Sequence, residues 1–326
     1  MIDWSPFVEI VRNHRRFVLT CHIRPDCDAL GSELALAALL EHLGKEVLIA
    51  NPFPLPPNRR FLDPQGKTRE LGVDVSPQQL AGYEVLVILD TAAWAQLGAM
   101  ADVVRTTTLR KVAIDHHVSA DAIGALVFSD DTAEATGRLV IEVADALGVP
   151  LSAEIAVPAF VALVTDTGWF RFGSTTSKTF QLATRLAAAG AAPDTTFKNL
   201  YENDTLARLH LLGAAMSRAK TDLDGRLIYS WLDRADFDAC GALPSESEDL
   251  INLTLSVGGT MASVFLVEQP SGEVRVSFRS RCAIDCARVA EQFGGGGHRK
   301  AAGATLPGPM SAARGRALDA MRKAMA

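Results

Sequence analysis

Short runs of apolar residues alternate with helical patterns along the first half of the chain. Four of these runs have the length and composition of buried strands, and they read RRFVLTCH, EVLIAN, YEVLVILDTA and LRKVAIDHH. After the first run, GSELALAALLEHLGK has the spacing of an amphipathic helix that ends at a glycine. The proline-rich NPFPLPPN after the second run predicts a loop. Because strands that alternate with helices form a parallel sheet with both faces covered, the pattern predicts an α/β domain.

The pattern changes twice in the second half of the chain. From Ala133 to about Lys220 it is helical, and the last segment, TTFKNLYENDTLARLHLLGAAMSRAK, predicts one long connecting helix. The segments RLIYSWLD, MASVFLVEQ and EVRVSFRSR then have the composition of strands. The predicted organisation is a first domain over residues 1–190, a connecting helix or linker over 191–221, and a second, smaller domain over 222–326.

Composition and charge narrow the class of protein. The chain has 326 residues, of which 48% are hydrophobic and 21% charged, as in an ordinary globular protein. Lys and Arg total 32 against 38 Asp and Glu, so the net charge is -6. A protein that binds long duplex DNA without sequence preference usually has the opposite balance, so this class is disfavoured. Nucleotide substrates stay compatible, because cations bound to clustered carboxylates attract phosphate.

Cysteine usage and hydropathy indicate a cellular compartment. The five cysteines are scattered and form no CxxC pair, which is typical of reduced thiols in a cytoplasm. The N-terminal MIDWSPFVEIVRNHRR lacks the apolar core of a signal peptide, and no apolar run is long enough to span a bilayer. We therefore expect a soluble, cytoplasmic protein without a membrane partner.

Residues that bind divalent metals follow three of the predicted strands and one apolar helical stretch. They are His22, Asp26 and Asp28 after the first strand, Asp90, then Asp115, His116 and His117, and finally Asp166 after the helical stretch. Taken singly, an Asp at a strand end usually caps a helix or forms a turn, and a His pair usually lies on the surface. Ligands gather at the carboxyl ends of parallel strands, however, and the coincidence of these residues there predicts one metal site.

The ligand types indicate which ions this site binds. Imidazole mixed with carboxylate suits manganese, and also iron or zinc, better than calcium, which prefers oxygen ligands alone. Six candidate ligands exceed the need of one catalytic ion. Two ions about 3.5–4 Å apart, bridged by a shared carboxylate, would use all of them.

A glycine-rich segment, FGGGGHRKAAGAT, forms a second candidate site far downstream. Consecutive amides of Gly294–Gly297 can form a nest for an anion, and His298 follows with a further donor. A flexible linker is the alternative, and it is disfavoured because hydrophobic structure continues on both sides. Just upstream, Ser277, Arg279 and Arg281 share one face of a predicted strand. Arginine binds phosphate through parallel hydrogen bonds, although a solvated strand face would also explain these residues.

Four segments occur in the order of the motifs of the DHH phosphoesterase superfamily, namely HIRPDCDALGS, LDTA, IDHH and TDTGWFRF. FGGGGHRKAAGA is similar to the signature of the DHHA1 domain, so the resemblance covers essentially the whole chain. The length and the connector YENDTLARLHLLGAAMSR resemble the NrnA-like group of bifunctional oligoribonucleases and pAp phosphatases. The resemblance implies an α/β protein with a parallel-sheet DHH domain, a connecting helix and a smaller α/β DHHA1 domain with a mixed sheet.

The resemblance also implies a role for each matched residue of the first domain. One manganese ion would be held by His22 and Asp26, the other by Asp28, His116 and Asp166, with Asp90 bridging the two. Asp115 would orient the neighbouring histidine, and His117 would lie at the scissile phosphate. Asp90, Asp115 and His117 would thus be the catalytic residues. Cys27 departs from the pattern, since the family usually has glycine there, and it can alter the loop geometry or make the site sensitive to oxidation.

The DHHA1 resemblance implies substrate contacts in the second domain. The residues expected to bind the substrate are Arg279, Ser280, Gly295, Gly296 and His298. A homodimer formed through the first domain is also implied.

The resemblance implies hydrolysis of short single-stranded RNA to nucleoside 5′-monophosphates, and of pAp to AMP. Two Mn²⁺ ions would activate the attacking water, with Mg²⁺ or Co²⁺ as substitutes. Hydrolysis of cyclic di-AMP or the dinucleotide pApA needs the same ligands and stays an alternative. A RecJ-like single-strand DNA exonuclease is disfavoured because this chain has no room for an added nucleic-acid-binding domain. A catalytically inactive nucleotide sensor is disfavoured because every expected ligand position is filled.

Overall fold

The computed structural model describes residues 2–117 and 121–326. The chain forms two compact units, Met1–Glu202 and Asn203–Ala326. The division between them falls inside the segment that the sequence predicts as the connector.

The first unit is built on a six-stranded sheet. Its strands are β1 (Arg16–Thr20), β2 (Glu46–Asn51), β3 (Thr68–Glu70), β4 (Val85–Leu89), β5 (Arg110–Asp115) and β6 (Leu126–Ser129). They are ordered β3-β2-β1-β4-β5-β6, and every pair of neighbours is parallel. The α/β fold with a parallel sheet is confirmed, and so are the four strands predicted from apolar runs, which form β1, β2, β4 and β5.

Helices cover both faces of this sheet. They are α1 (Ser5–Asn13), α2 (Cys27–His42), α3 (Pro77–Leu80), α4 (Met100–Thr106), α5 (Thr136–Leu147), α6 (Ala153–Asp166), α7 (Ser177–Ala188) and α8 (Pro193–Tyr201), with short 3-10 helices at Pro57–Leu62 and Trp94–Gln96. One apolar cluster joins α1, α2, α5 and α6 to the sheet, and a second lies on the other face with α3 and α4. The carboxyl ends of the strands are therefore supported from both sides.

Helix α2 is more deeply buried than its sequence predicts. The pattern indicated an amphipathic helix, but nearly every residue from Cys27 to Leu40 is buried. The reason is that α6 packs directly on the side of α2 that faces away from the sheet. A Cβ atom added at Gly31 would lie 2.4 Å from the carbonyl oxygen of Pro158, so the two helix backbones are in close contact at this glycine.

The second unit contains a smaller, mixed sheet. Its strands are β7 (Lys220–Asp222), β8 (Leu227–Leu232), β9 (Ala262–Glu268), β10 (Val274–Ser280), β11 (Gly296–His298) and β12 (Ala301–Leu306). The order is β11-β12-β10-β9-β8-β7, in which β8 and β9 are parallel and the other pairs antiparallel. Its helices are α9 (Leu206–Ser217), α10 (Arg234–Cys240), α11 (Leu250–Thr254), α12 (Cys286–Glu291) and α13 (Met310–Met325), with a 3-10 helix at Pro244–Ser247. The predicted mixed sheet is confirmed.

The segment predicted as one long connecting helix consists of two helices. Helix α8 ends at Tyr201, and α9 begins only at Leu206. Asn203 and Asp204 favour turns over helix interiors, and the Thr205 side chain caps α9 by accepting a hydrogen bond from the amide of Arg208. These local preferences outweigh the apolar periodicity that made the segment look continuous. Across the part of the chain that the structure describes, none of the helices combines the length and apolar composition of a bilayer span.

Candidate active site

The candidate metal ligands of the first unit meet at one edge of its sheet. Strands β1, β4 and β5 are neighbours and parallel, so their carboxyl ends lie side by side. His22 follows β1, Asp90 follows β4 directly, and Asp115 is the last residue of β5. Asp166 reaches the same place from the end of α6. The side chains predicted to share one cleft are therefore close together in the structure.

One group of possible metal ligands consists of His22, Asp26 and Asp90, whose ligand atoms lie within 4.8 Å of one another. Nε2 of His22 is 3.3 Å from Oδ2 of Asp90 and 3.9 Å from Oδ1 of Asp26. Nδ1 of His22 donates to the carbonyl oxygen of Ile23 at 2.8 Å. That hydrogen bond fixes the ring so that Nε2 faces the carboxylates, which is the orientation of a metal-binding histidine.

A second group consists of Asp28, His116 and Asp166. Nε2 of His116 lies 3.6 Å from Asp28, 3.4 Å from Asp166 and 3.5 Å from Oδ1 of Asp90. Nδ1 of His116 donates to the carbonyl oxygen of Ala133 at 3.1 Å, so this ring is held in the same manner as that of His22. Asp90 belongs to the first group, and its other carboxylate oxygen lies 3.5 Å from His116 of the second, so it stands between the two.

The start of helix α5 orients the two buried carboxylates. Asp28 is 1% exposed, and it accepts hydrogen bonds from the amides of Thr136 (2.7 Å) and Gly137 (2.9 Å). The Thr136 hydroxyl donates to Oδ1 of Asp90 at 2.8 Å. Sequence reasoning missed Thr136 and Gly137, because backbone amides at a helix start leave no side-chain pattern. The available signal was the Thr-Gly pair at the beginning of a strong helical period.

Asp90 has a backbone conformation that non-glycine residues rarely adopt, with φ of 61°. Its amide donates to the carbonyl oxygen of Ile114 at 3.0 Å, so the turn is tied to strand β5. Such a conformation costs on the order of 1 kcal/mol and persists where the surrounding structure imposes it, often at functional sites. Here it directs the carboxylate into the space between the two histidines.

The site concentrates carboxylate groups, which favours the binding of a cation. Burial, followed by the charges of Asp90 and Asp166, raises the pKa of Asp28 well above its usual range. Burial is also the main reason that the pKa of Asp166 rises to about 6. Burial alone would lower the pKa of His22, but its contacts with Asp26 and Asp90 outweigh this and raise that pKa to about 11. Without a metal ion, protons must offset the crowded carboxylates, and metal binding would displace them.

The donor set fits a divalent transition metal. Each group combines imidazole nitrogen with carboxylate oxygen, and both histidines are held through the nitrogen that faces away from the carboxylates. Burial raises the pKa of the Cys27 thiol to about 11, so the thiol stays protonated at neutral pH and is poorly reactive. The oxidation sensitivity considered for Cys27 therefore finds no support in its surroundings.

Asp115 and His117 form a separate pair beside these groups. Asp115 is buried, and its Oδ1 accepts hydrogen bonds from Nδ1 of His117 at 2.8 Å and from the His117 amide at 3.1 Å. The hydrogen bond with Asp115 raises the pKa of His117 to about 9, against the opposing effect of burial. The side chain of His117 is 40% exposed, whereas that of His116 is 14% exposed. His117 is thus the more accessible of the two, although it also lies within ligand distance of Asp90 and His116.

In the second unit, the predicted substrate residues lie on strands β10 and β11. Arg279 is half-buried on β10, and its Nε donates to Oδ1 of Asn252 at 3.3 Å. Ser280 is buried on the opposite face of the strand, where its hydroxyl contacts the carbonyl oxygen of Cys282 at 3.3 Å. Strand alternation places adjacent residues on opposite faces of a strand. The structure therefore does not bring the side chains of Ser280 and Arg279 together.

Part of the glycine-rich segment is a short strand rather than a loop. In β11, Gly296 pairs with Gly303, and His298 pairs with Ala301. A Cβ atom at Gly295 would lie 2.2 Å from the carbonyl oxygen of Gly303, whereas one at Gly296 would meet nothing within 4 Å. The side chain of His298 lies outside the part of the chain that the structure describes.

Comparisons with known proteins agree with this division of the chain. Residues 16–163 match the model of the DHH family N-terminal domain, and residues 224–326 match that of the DHHA1 domain. The chain is 34% identical to the bifunctional oligoribonuclease and PAP phosphatase NrnA of Thermus thermophilus, over 94% of this chain and 89% of that protein. It is 26% identical to the protein of the same name from Bacillus subtilis, over 93% of each chain.

A solved structure has the same fold over nearly the full length. The crystal structure of an exopolyphosphatase-related protein from Bacteroides fragilis superposes with a TM-score of 0.92 at 25% sequence identity. The match covers 99% of this chain and 97% of the other.

Proposed function

The chain belongs to the NrnA family of DHH/DHHA1 proteins, and on that premise we propose that it hydrolyses short oligoribonucleotides to nucleoside 5′-monophosphates and pAp to AMP. Both reactions cleave a phosphoester bond at the end of a small, anionic substrate. The observation that carries the proposal is the position of Asp90, whose carboxylate lies between two adjacent groups of possible metal ligands. A carboxylate in this position could hold two ions close together, as two-metal hydrolysis of phosphoesters needs.

We propose Mn²⁺ as the resident metal, with Mg²⁺ or Co²⁺ as substitutes. His22 and Asp26 would hold one ion, and Asp28, His116 and Asp166 the other. Bound there, the ions would lower the pKa of a water molecule and neutralise phosphate charge. The mixture of imidazole and carboxylate supports manganese over calcium.

The protein's own residues orient these ligands and the substrate. Thr136 and the α5 amides hold Asp28 and Asp90, and backbone carbonyls hold the two histidine rings. His117, held by Asp115, is proposed to donate a hydrogen bond to an oxygen of the scissile phosphate as negative charge develops there. A cationic imidazole suits this role better than a neutral one.

The second unit is proposed to contribute contacts to the terminal phosphate or base of the substrate. Arg279 offers a guanidinium on a half-exposed strand face, and Gly295, Gly296 and His298 belong to the adjacent glycine-rich segment. Ser280 is left out of this set, since its hydroxyl is buried on the other face of β10.

Replacing Gly296 with alanine tests this assignment. The added methyl group meets no neighbouring atom, so we expect an unchanged melting temperature but a KM for pAp that rises about tenfold, because it intrudes where the phosphate is proposed to bind. Gly295→Ala should instead lower the melting temperature, since its methyl group would overlap the Gly303 carbonyl. Gly315→Ala, at an open position inside helix α13, is the control for KM; its melting temperature should rise slightly, because alanine favours a helix interior over glycine. An unchanged KM in Gly296→Ala would remove Gly296 from the substrate site.

The proposed activity itself is tested with a panel of substrates. Purified protein with Mn²⁺ is incubated with pAp, RNA of two to five nucleotides, DNA of the same lengths, pApA and cyclic di-AMP, and products are separated by chromatography. We expect AMP from pAp and mononucleotides from short RNA. Exclusive turnover of cyclic di-AMP or pApA would favour the alternative substrate, and turnover of long single-stranded DNA would favour an exonuclease.

A homodimer formed through the first unit is the assembly that we propose, on the basis of family membership. Sedimentation velocity measures it directly. A single species with the mass of one 34.8 kDa chain would contradict it.

A further inference from the structure

An arginine from outside the family motifs, Arg59, is hydrogen-bonded to the backbone directly before Asp26, one of the proposed metal ligands. We propose that Arg59 binds a phosphate oxygen of the substrate at the group formed by His22, Asp26 and Asp90; this inference rests on the proposed function and assigns a further residue to it. Arg59 belongs to the 3-10 helix Pro57–Leu62, which follows the proline-rich loop after β2.

A hydrogen bond fixes the position of the Arg59 side chain. Its Nη1 donates to the carbonyl oxygen of Pro25 at 2.9 Å. Arg59 therefore stands beside the segment that carries Asp26, one of the proposed metal ligands.

A structural ion pair does not explain the position of the Arg59 guanidinium. Among residues 2–117 and 121–326, no carboxylate lies within ion-pair distance of its guanidinium. A guanidinium has five N–H donors, and the contact with the Pro25 carbonyl uses only one of its nitrogens. A structural arginine at such a position would usually pair with an acid, as Arg138 does with Glu134 and Glu142 in the same unit.

Asp26 marks the side from which substrate can enter. Its side chain is 50% exposed, whereas those of Asp28 and Asp90 are 1% and 2% exposed. Arg59 is half-buried, and it is hydrogen-bonded to the residue that precedes this accessible ligand. A positive charge beside a proposed cation site is unfavourable unless an anion lies between them. A phosphate group bound at the metal ions would provide that anion and would match the planar donors of arginine.

The competing explanation is that Arg59 only holds the Pro25 backbone and thereby positions Asp26. The two explanations differ in what they predict for metal binding. A brace for Asp26 must affect Mn²⁺ affinity, whereas a phosphate-binding residue must affect nucleotide affinity and leave the metal in place.

The experiment compares Arg59→Ala and Arg59→Lys with Arg60→Ala, an exposed neighbour on the same 3-10 helix. Mn²⁺ affinity is measured by electron paramagnetic resonance of the free ion, and AMP affinity by equilibrium dialysis with Mn²⁺ present. KM and kcat for pAp follow from steady-state assays. For Arg59→Ala we expect an AMP dissociation constant and a KM raised about 10- to 100-fold, with Mn²⁺ affinity within about twofold of the wild type. Arg59→Lys should recover part of the loss, and Arg60→Ala should resemble the wild type.

Two results would overturn the inference. Unchanged AMP affinity in Arg59→Ala would remove Arg59 from the substrate site, and weakened Mn²⁺ binding with unchanged AMP affinity at saturating Mn²⁺ would make it a positioning residue. AMP binding also separates this inference from the proposed function. If wild-type protein binds AMP in a Mn²⁺-dependent manner but turns over no substrate, the proposed activity fails while the role of Arg59 is still measured.

Discussion

We expect Asp90→Asn to lower Mn²⁺-dependent hydrolysis by about 1,000-fold or more and to remove the stabilisation that bound Mn²⁺ would confer on the folded protein. The reason is that Asp90 lies between the two groups of possible ligands, with its carboxylate 3.3 Å from Nε2 of His22 and 3.5 Å from Nε2 of His116. Losing its charge removes several kcal/mol of charge stabilisation from both proposed ions, and each 1.36 kcal/mol of barrier is a factor of ten in rate.

The same substitution separates metal binding from folding. Without metal, Asp90 faces the carboxylates of Asp28 and Asp166 but also the His22 imidazole, so neutralising it removes both repulsion and attraction and should change the melting temperature little. With Mn²⁺ at 100 times its dissociation constant, the wild type should gain about 2.7 kcal/mol of stability, and Asp90→Asn should gain almost none. Differential scanning calorimetry with and without Mn²⁺ measures both effects.

Asp63→Asn provides the matched control. Asp63 is another buried carboxylate of the first unit, and it accepts hydrogen bonds from the amides of Lys67 and Thr68, both at 2.8 Å, away from the metal groups. Its replacement should cost about 1 kcal/mol of stability but leave the Mn²⁺-induced gain intact. If Asp90→Asn retained the full Mn²⁺-induced gain, the shared-carboxylate arrangement would be wrong.

Much of the first unit could be predicted because its information is local. A run of five apolar residues that ends in an acid predicts both a buried strand and the position of a ligand at its carboxyl end, as for β4 and Asp90. Strands β3 (Thr68–Glu70) and β6 (Leu126–Ser129) were not predicted, since they are short edge strands defined by pairing and not by hydrophobicity. The extra burial of α2 depends on a helix more than 100 residues later in the chain, which no local pattern contains.

The features of the site that were missed come from backbone groups and from loops. Thr136 and Gly137 act on Asp28 through amides, and Arg59 reaches Pro25 from a loop whose path depends on its prolines. The periodicity of apolar residues predicts neither the backbone contacts nor the position of the Arg59 side chain. The burial of Ser280, in contrast, was available from the sequence, since Arg279 and Ser280 are adjacent on a strand and must face opposite sides. For Ser280, strand alternation predicts the direction of the side chain better than the resemblance to the DHHA1 motif does.

His116→Ala and His117→Ala, although they alter neighbouring residues of one motif, should fail in different ways. His116→Ala removes the nitrogen that lies within 3.6 Å of Asp28, Asp90 and Asp166, so Mn²⁺ affinity should fall at least about tenfold, and activity with it. His117→Ala should keep Mn²⁺ affinity within about twofold of the wild type and lower kcat by about 100- to 1,000-fold, the usual effect of losing one donor to a developing oxyanion. Electron paramagnetic resonance of free Mn²⁺ and steady-state kinetics on pAp give the two quantities.

The same two variants also test a second assignment that the geometry permits, in which His117 is a metal ligand. His117 also lies close to Asp90, with Nδ1 at 3.8 Å from Oδ1, and together with His116 it completes a third group that could hold a metal ion. If His117 were a ligand, both variants would lose Mn²⁺, and the proposed contact with phosphate would be wrong. The 2.8 Å hydrogen bond from Nδ1 of His117 to the buried Asp115 makes this nitrogen a donor, and a nitrogen that carries a proton cannot bind a metal ion. If His117 bound a metal it would do so through Nε2, as proposed for His22 and His116, so the Mn²⁺ affinity of His117→Ala decides between a metal ligand and a donor to phosphate.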